Sequence, residues 1–174
     1  MTSKDLEGKI FYHGSPFKVT RINLSYCKPY KDFGPAFYLT LDKIKAYEWA
    51  TQVTRKTGRG TPTVNRYIFK RADDLKIKYF SEPDIEWLDF VTLRRQEAVL
   101  NHSYDIVIGP TADAGPNLQI ILGHYYLKEI SAAQAIKDIK PYEIPIQFAF
   151  CTKKSVSRLV YDGEEIVTYA QTRR

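Results

Sequence analysis

Two short apolar stretches that each meet a glycine place the strongest constraint on how this chain folds. The first is Phe11-Tyr12-His13-Gly14-Ser15, and the second is Phe33-Gly34-Pro35-Ala36-Phe37-Tyr38-Leu39-Thr40. An apolar run beside glycine is typical of a strand that ends or begins at a turn. One chemically useful side chain lies beside each turn, His13 in the first stretch and Tyr38 in the second. The sequence therefore predicts two strand corners that wall a cleft.

The residues at these corners suit a flat, polar ligand. Gly14 has no Cβ, so a flat ligand can approach its backbone N–H and C=O closely. The Tyr38 ring offers an aromatic face on which such a ligand can stack. A carboxamide carried on an aromatic ring would satisfy both groups.

The two motifs resemble those of the ADP-ribosyltransferases of the His-Tyr-Glu type. In that family the first motif is a strand ending in His-Gly, and the second is Phe-Gly-x-Gly-x-Tyr before a helix. The resemblance implies that the cofactor is NAD+ and that Ser15 belongs to its binding site. It also implies that His13 holds the nicotinamide ribose hydroxyl, Gly14 pairs with the carboxamide, and Tyr38 stacks on the nicotinamide.

The chain is still more similar to a family of short bacterial domains that have no assigned reaction, are grouped with these transferases and are often encoded in toxin–antitoxin pairs. The resembling segments are His13 to Ser15, Asp32 to Ala50, Tyr104 to Asp113 and Gln147 to Tyr161. The resemblance implies an NAD+-dependent mono-ADP-ribosyltransferase, a glycosyltransferase-class enzyme that acts as a bacterial toxin on a protein or nucleic acid acceptor.

The third motif departs from the transferase pattern. The matching strand, Ile144 to Cys151, offers Gln147 where the family has glutamate. Gln147 can hydrogen-bond a ribose hydroxyl but carries no charge to stabilise a developing cation. A carboxylate about 4 Å from that cation contributes up to about 4 kcal/mol at an effective dielectric near 20. We therefore predict His13, Tyr38 and Gln147 as the catalytic set of a slow transferase.

Another acid or the acceptor itself would then supply the missing charge. The acids that we expect to contribute are Asp113, Glu97 and Glu143. The alternative is a catalytically inactive transferase-like domain that binds nucleic acid or a protein partner.

The charge balance favours an acidic partner. The net charge is +6 and the isoelectric point is about 9.2, and such an excess suits nucleic acid or an acidic antitoxin. The basic groups are Arg55-Lys56 with Arg59 and Arg66, Arg94-Arg95, Lys153-Lys154 with Arg158, and Arg173-Arg174. The competing interpretation is that these residues cover a solvated surface and bind the NAD+ pyrophosphate.

Cysteine and histidine usage and hydropathy indicate a cytoplasmic protein without a metal. Cys27 and Cys151 form neither a metal-binding spacing nor a disulfide framework, and His13, His102 and His124 lack neighbours at ligand spacing. No apolar run approaches the roughly 18 residues of a membrane span, and the polar start of the chain is not a secretory signal.

The pattern of apolar residues predicts one α+β domain over residues 1–174. The expected strands are Ile10 to His13, Phe37 to Thr40, Thr63 to Phe69, Ile77 to Phe80, Asp105 to Gly109, Ile144 to Cys151 and Leu159 to Tyr161. The expected helices are Asp42 to Arg55, Pro83 to Leu100, Asn117 to Leu127 and Ala132 to Ile139. Strands separated by helices of unequal length favour two small packed β-sheets flanked by helices over a doubly wound sheet. The resemblance implies that this arrangement is ADP-ribosyltransferase-like.

One helix carries a specific prediction about its buried face. Ala46, Trp49, Ala50 and Val53 recur at helical spacing, so they are expected to form one buried stripe.

Overall fold

A computed structural model describes residues 1–113 and 115–168. The predicted Arg173-Arg174 group lies outside this range. The strands are β1 (Ile10–Ser15), β2 (Phe37–Leu39), β3 (Thr63–Phe69), β4 (Ile77–Tyr79), β5 (Ile106–Pro110), β6 (Ile146–Phe150) and β7 (Leu159–Ile166). The helices are α1 (Ser3–Leu6), α2 (Lys43–Thr57), α3 (Ile85–Arg94), α4 (Pro116–Tyr126), α5 (Ala132–Ile139) and α6 (Lys153–Val156), with a 3₁₀ turn at Leu24–Tyr26.

The strands form two small sheets, which confirms the predicted α+β architecture. One sheet has the order β1-β3-β7 and is antiparallel throughout. The other has the order β2-β6-β5-β4, in which only the β4–β5 pair is parallel among the described strands. A single bridge between Tyr12 and Thr40 connects β1 to the residue that follows β2.

Aromatic packing holds the two sheets together. The Phe11 ring of β1 packs edge-on against Phe148 and Phe150 of β6, with centroid distances of 5.0 and 5.7 Å. The opposite face of the second sheet is covered by α3, α4 and α5 and by Phe33 from the loop before β2. Trp87 of α3 is fully buried there, and its indole N–H donates to the Pro110 carbonyl at 2.9 Å.

Helix α2 covers the outer face of the first sheet at Gly14. Asp42 caps the helix, because its carboxylate accepts from the amides of Ile44 and Lys45. A methyl group at position 14 would meet the Ala46 carbonyl oxygen and would lie 2.7 Å from the Ala50 amide nitrogen. Only glycine at this position allows helix and strand to approach so closely.

This close contact explains where the predicted buried stripe of α2 is wrong. Ala46 and Ala50 are buried as expected, but Trp49 remains 40% exposed. The helix lies too near the strand to admit a large ring at the contact, so Trp49 stays at the surface beneath the Lys31 ammonium group. Tyr47 is the large side chain that α2 buries instead.

Helix α3 ends earlier than the sequence predicts. The prediction extended to Leu100, whereas the helix ends at Arg94. The Arg94 side chain is buried, pairs with Glu97 at 2.9 Å and donates to the Asn101 carbonyl. These contacts hold the following residues in a turn around the guanidinium group, so the helix does not continue.

None of the helices in the described part of the chain combines the length and apolar character that a bilayer span requires.

Candidate active site

Strands β1 and β2 meet at one residue pair and then diverge. The Tyr12 amide donates to the Thr40 carbonyl at 2.8 Å, and the Thr40 amide donates back at 3.0 Å. Continued antiparallel pairing would set Gly14 opposite Tyr38, but the bridge is isolated. Backbone groups alternate between strand edges, so the N–H and C=O of Gly14 point to the same side as those of Tyr12. The two sequence motifs therefore lie on either side of a break in the pairing.

His13 connects the two motifs across this break. Its Nδ1 lies 2.8 Å from the Tyr38 carbonyl oxygen, and its ring packs on Phe37 with a centroid distance of 4.3 Å. A carbonyl oxygen only accepts, so Nδ1 carries the proton and Nε2 remains an acceptor in the neutral ring. Burial lowers the pKa of His13, although the hydrogen bond to Tyr38 opposes this shift. At neutral pH the residue is therefore a neutral imidazole that can accept from a hydroxyl group.

We expect the lowered pKa of His13 to make the fold sensitive to acid. The unfolded state retains the ordinary pKa of 6.5, so it takes up the proton more readily than the folded state as the pH falls. The free energy of unfolding should fall as the pH drops below about 6.5, and His13→Gln should reduce this loss. Urea titrations at about pH 7.5 and about pH 5 test this. An equal loss in His13→Gln would contradict it, and His124→Gln is the matched exposed control.

Tyr38 lies on the other side of the break, and backbone hydrogen bonds hold its hydroxyl group. The Phe33 amide donates to this hydroxyl at 2.9 Å, and the hydroxyl donates to the Gly34 carbonyl at 2.8 Å. Burial and the nearby Asp32 carboxylate raise the pKa of Tyr38 well above its ordinary value. The phenol thus stays protonated and contributes its half-buried ring, which stacks on Phe33 on one side.

Gly14 and Ser15 have structural contacts beside their predicted binding roles. The Cα of Gly14 faces α2, while its backbone groups face the β2 side. The Ser15 hydroxyl accepts from the Phe17 amide at 3.1 Å and shapes the turn after β1. The binding roles of both residues stay predictions.

Gln147 lies near the start of β6, on the same sheet face as Tyr38. Tyr38 pairs with Ala149, two residues along the strand, and side chains two apart share a face. The Gln147 Nε2 donates to Asp32 Oδ2 at 2.7 Å. Within residues 1–113 and 115–168, Gln147 Oε1 has no hydrogen-bond partner, so an acceptor is left available.

Asp32 is the functional candidate that the sequence analysis missed. This carboxylate is only 3% exposed. It accepts from Arg95 Nη1 at 2.9 Å, the Ala112 amide at 2.8 Å and Gln147 Nε2 at 2.7 Å. Burial and the Asp113 carboxylate raise the pKa of Asp32, whereas Arg95 and the hydrogen bonds oppose that increase. Its position directly before Phe33-Gly34 was the available signal.

The acids predicted from the sequence are placed differently. Asp113 contacts Arg95, which in turn contacts Asp32. The distance from Arg95 Nη2 to the Asp113 carboxylate is 3.3 Å. Glu97 pairs with Arg94 in the turn after α3, and Glu143 is exposed in the loop before β6. Asp113 is thus the one of the three that is linked to Asp32.

Several of the predicted basic groups are engaged inside the protein. Arg94 is buried against Glu97, and Arg95 pairs with Asp32 and Asp113. These contacts remove the predicted Arg94-Arg95 pair from any free basic surface. By contrast, Arg55, Lys56 and Arg59 are exposed at and after the C-terminal end of α2.

Two surface cavities lie away from these residues. One, of about 370 Å³, is lined by residues of α4 and the start of α5, including Tyr125 and Ala132. The other, of about 470 Å³, lies between Arg21 and Lys153. Among the described residues, no group of three or more histidine, cysteine, aspartate or glutamate side chains is placed to hold a metal ion.

Comparisons with known proteins identify the family of the chain. No curated protein and no solved structure matched it. One family model, described as "Protein of unknown function (DUF3990)", matches residues 9–161. That match includes β1, the loop before β2 and Gln147, and it covers most of the 174 residues. The chain therefore belongs to the DUF3990 family.

Proposed function

We propose that this protein is an NAD+-dependent mono-ADP-ribosyltransferase that modifies a protein or nucleic acid acceptor. The observation that carries the proposal is the break between β1 and β2, where His13 hydrogen-bonds the backbone of Tyr38. The arrangement of two small sheets with flanking helices is compatible with an ADP-ribosyltransferase-like fold.

Each group at the break has a chemical role in this proposal. The neutral His13 ring accepts a ribose hydroxyl through Nε2, and the backbone groups of Gly14 that point toward β2 pair with the carboxamide. Tyr38 provides an aromatic face for the nicotinamide ring. Gln147 accepts a second ribose hydroxyl through Oε1.

The reaction itself is a substitution at the anomeric carbon of the nicotinamide ribose. The bond from C1′ to the nicotinamide nitrogen breaks, and its electron pair leaves with nicotinamide. A nucleophile of the acceptor, or water, forms the new bond to C1′ and releases its proton. Positive charge develops on the ribose during this step, so a negative group nearby lowers the barrier.

We expect NAD+ to stabilise the folded protein through this site. At about a hundredfold excess over Kd, NAD+ should raise the melting temperature by about 7 °C. Tyr38→Ala should abolish most of this shift, because the stacking face is lost, whereas His124→Ala should retain it. His124 is an exposed residue that pairs with Glu129 on the far helix α4. The proposed site is wrong if NAD+ shifts wild type and Tyr38→Ala equally, or shifts neither.

The acceptor is identified by following the label. Incubation with NAD+ labelled in the adenylate portion and with a bacterial lysate should transfer label to a macromolecule. Digestion with nuclease or with protease then shows which class of acceptor carries it. A toxin paired with an acidic antitoxin should lose this activity when the antitoxin is added.

The exposed basic residues at the end of α2 favour a second candidate function, a catalytically inactive domain that binds nucleic acid. Binding through Arg55, Lys56 and Arg59 would weaken steeply with salt, because each phosphate contact releases counterions. We expect Arg55→Ala with Arg59→Ala to flatten the salt dependence in fluorescence anisotropy, and Lys137→Ala on α5 to leave it unchanged. Binding that is absent or independent of salt would exclude this candidate.

A further inference from the structure

Asp32 determines which end of the Gln147 amide faces the site. A carboxylate accepts hydrogen bonds and donates none when it is ionised, so the 2.7 Å contact must come from the Gln147 NH₂ group. The amide is planar, and its oxygen therefore points away from Asp32. An exposed glutamine without such a partner would turn either end toward a ligand.

The environment of Asp32 prevents the carboxylate from moving. Arg95 holds one oxygen at 2.9 Å, and the Ala112 amide holds the other at 2.8 Å. Arg95 is itself fixed from the far side by Asp113 at 3.3 Å. The Asp32 and Asp113 carboxylates thus share the Arg95 guanidinium group, and Asp32 is the one of the two that contacts Gln147.

We propose that Asp32 is a positioning residue that turns the Gln147 amide so that Oε1 accepts a ribose hydroxyl of NAD+. This role rests on the proposed transferase function. An amide oxygen directed in this way presents the same hydrogen-bonding polarity as one carboxylate oxygen of glutamate. Asp32 and Gln147 together then replace the glutamate of the third transferase motif. Gln147 Oε1 is the acceptor atom, and the negative charge lies on Asp32, which is hydrogen-bonded to the other end of the same amide.

The arrangement predicts a specific result for exchanging the two side-chain types. Gln147→Glu alone places a second carboxylate at hydrogen-bonding distance from Asp32, and two such groups share a proton instead of both ionising. Asp32→Asn with Gln147→Glu reverses the polarity of this contact, because an Nδ2 in place of Asp32 Oδ2 donates to the new carboxylate at position 147. The same Nδ2 no longer accepts from the Ala112 amide, so we expect this variant to be less stable than wild type. We expect nicotinamide release by the double variant to exceed that of Gln147→Glu by about tenfold at neutral pH.

The single variant Asp32→Asn tests the positioning role. Asparagine both donates and accepts, so the Gln147 amide is no longer held in one orientation. We expect kcat to fall about tenfold to a hundredfold while KM for NAD+ changes about twofold or less. Asp138→Asn is the matched control, because it weakens a similar contact of 2.7 Å between Gln134 and Asp138 on the surface of α5. This control should leave both constants unchanged.

A spectroscopic measurement separates positioning from activity. In the ¹⁵N-labelled protein, the side-chain NH₂ resonances of Gln147 should shift strongly on Asp32→Asn and stay in place on Asp138→Asn. Unchanged Gln147 resonances would overturn the positioning role even if the protein releases nicotinamide. If the resonances shift but no variant or wild type releases nicotinamide, the proposed function fails while the orientation of the amide stands.

A second variant covers the case in which Asp32→Asn does not fold. Gln147→Met removes the amide but leaves the buried carboxylate and Arg95 in place. It should reproduce the tenfold to hundredfold loss in kcat, with thermal unfolding close to that of wild type. Full activity in Gln147→Met would overturn the proposal, because no amide would then be needed.

Discussion

Gly14→Ala is expected to lower the free energy of unfolding by about 3 kcal/mol. The added methyl group would meet the backbone of α2 at the Ala46 carbonyl and at the Ala50 amide nitrogen, 2.7 Å away. Backbone atoms cannot move aside as a flexible side chain would, so the whole helix must shift from β1. Chemical denaturation with urea measures the loss.

Gly123→Ala is the control for this prediction. Gly123 lies within α4, and a methyl group there would meet no atom within 4 Å. Alanine favours the helix over glycine by up to about 1 kcal/mol, so this variant should be slightly more stable than wild type. If Gly14→Ala were as stable as Gly123→Ala, the close contact between α2 and β1 would be wrong.

His13→Ala is expected to lower nicotinamide release by about a hundredfold. The variant removes the proposed acceptor for the ribose hydroxyl, and a hydrogen bond in a charged transition state contributes up to about 3 kcal/mol. It also removes the hydrogen bond between the His13 side chain and the Tyr38 carbonyl, which joins the two motifs. Steady-state release of free nicotinamide from NAD+ measures the effect.

The comparison with His124→Ala distinguishes a site effect from a general one. His124 is exposed and pairs with Glu129, so its removal should leave nicotinamide release within about twofold of wild type. Equal activity in wild type, His13→Ala and His124→Ala would exclude His13 from the site. A melting curve for each variant shows whether the folded fraction is the same during the assay.

Local patterns in the sequence predicted helices and strands well where the residues of the element itself determine its bounds. Strand β3 and helix α5 have the predicted bounds, because a run of mostly β-branched and aromatic residues defines the first and the Ser131 cap begins the second. Strand β7 continues past the predicted Tyr161 to Ile166. Its polar Asp162-Gly163 sequence is typical of a turn, but β7 pairs with β3 through a bulge at Asp162, opposite Arg66 and Tyr67. Pairing with a distant strand overrides the local signal there.

The site was predictable to the extent that its residues lie within recognisable motifs. His13 and Tyr38 were expected to line one cleft, and a hydrogen bond between His13 and the Tyr38 backbone does join the two motifs. The contact between Asp32 and Gln147 spans 115 positions, and Arg95 reaches Asp32 across 63. The periodicity of apolar residues indicates helices and strands, but it does not indicate contacts between residues so far apart in the sequence. Asp113 could be suspected as an acid, but its connection through Arg95 required the folded structure.

The order of histidine and glycine in β1 has a consequence for any variation at these positions. Successive side chains of a strand point to opposite faces, so one face of β1 receives position 13 and the other receives position 14. The inner face has room for an imidazole beside Phe37, and the outer face has no room even for a methyl group. Reversing the dipeptide would drive the ring into α2 and leave glycine on the inner face, and inserting one residue before it would also turn the ring toward α2. A single shift of register would therefore remove both the His13 hydrogen bond to the Tyr38 carbonyl and the glycine against which α2 packs.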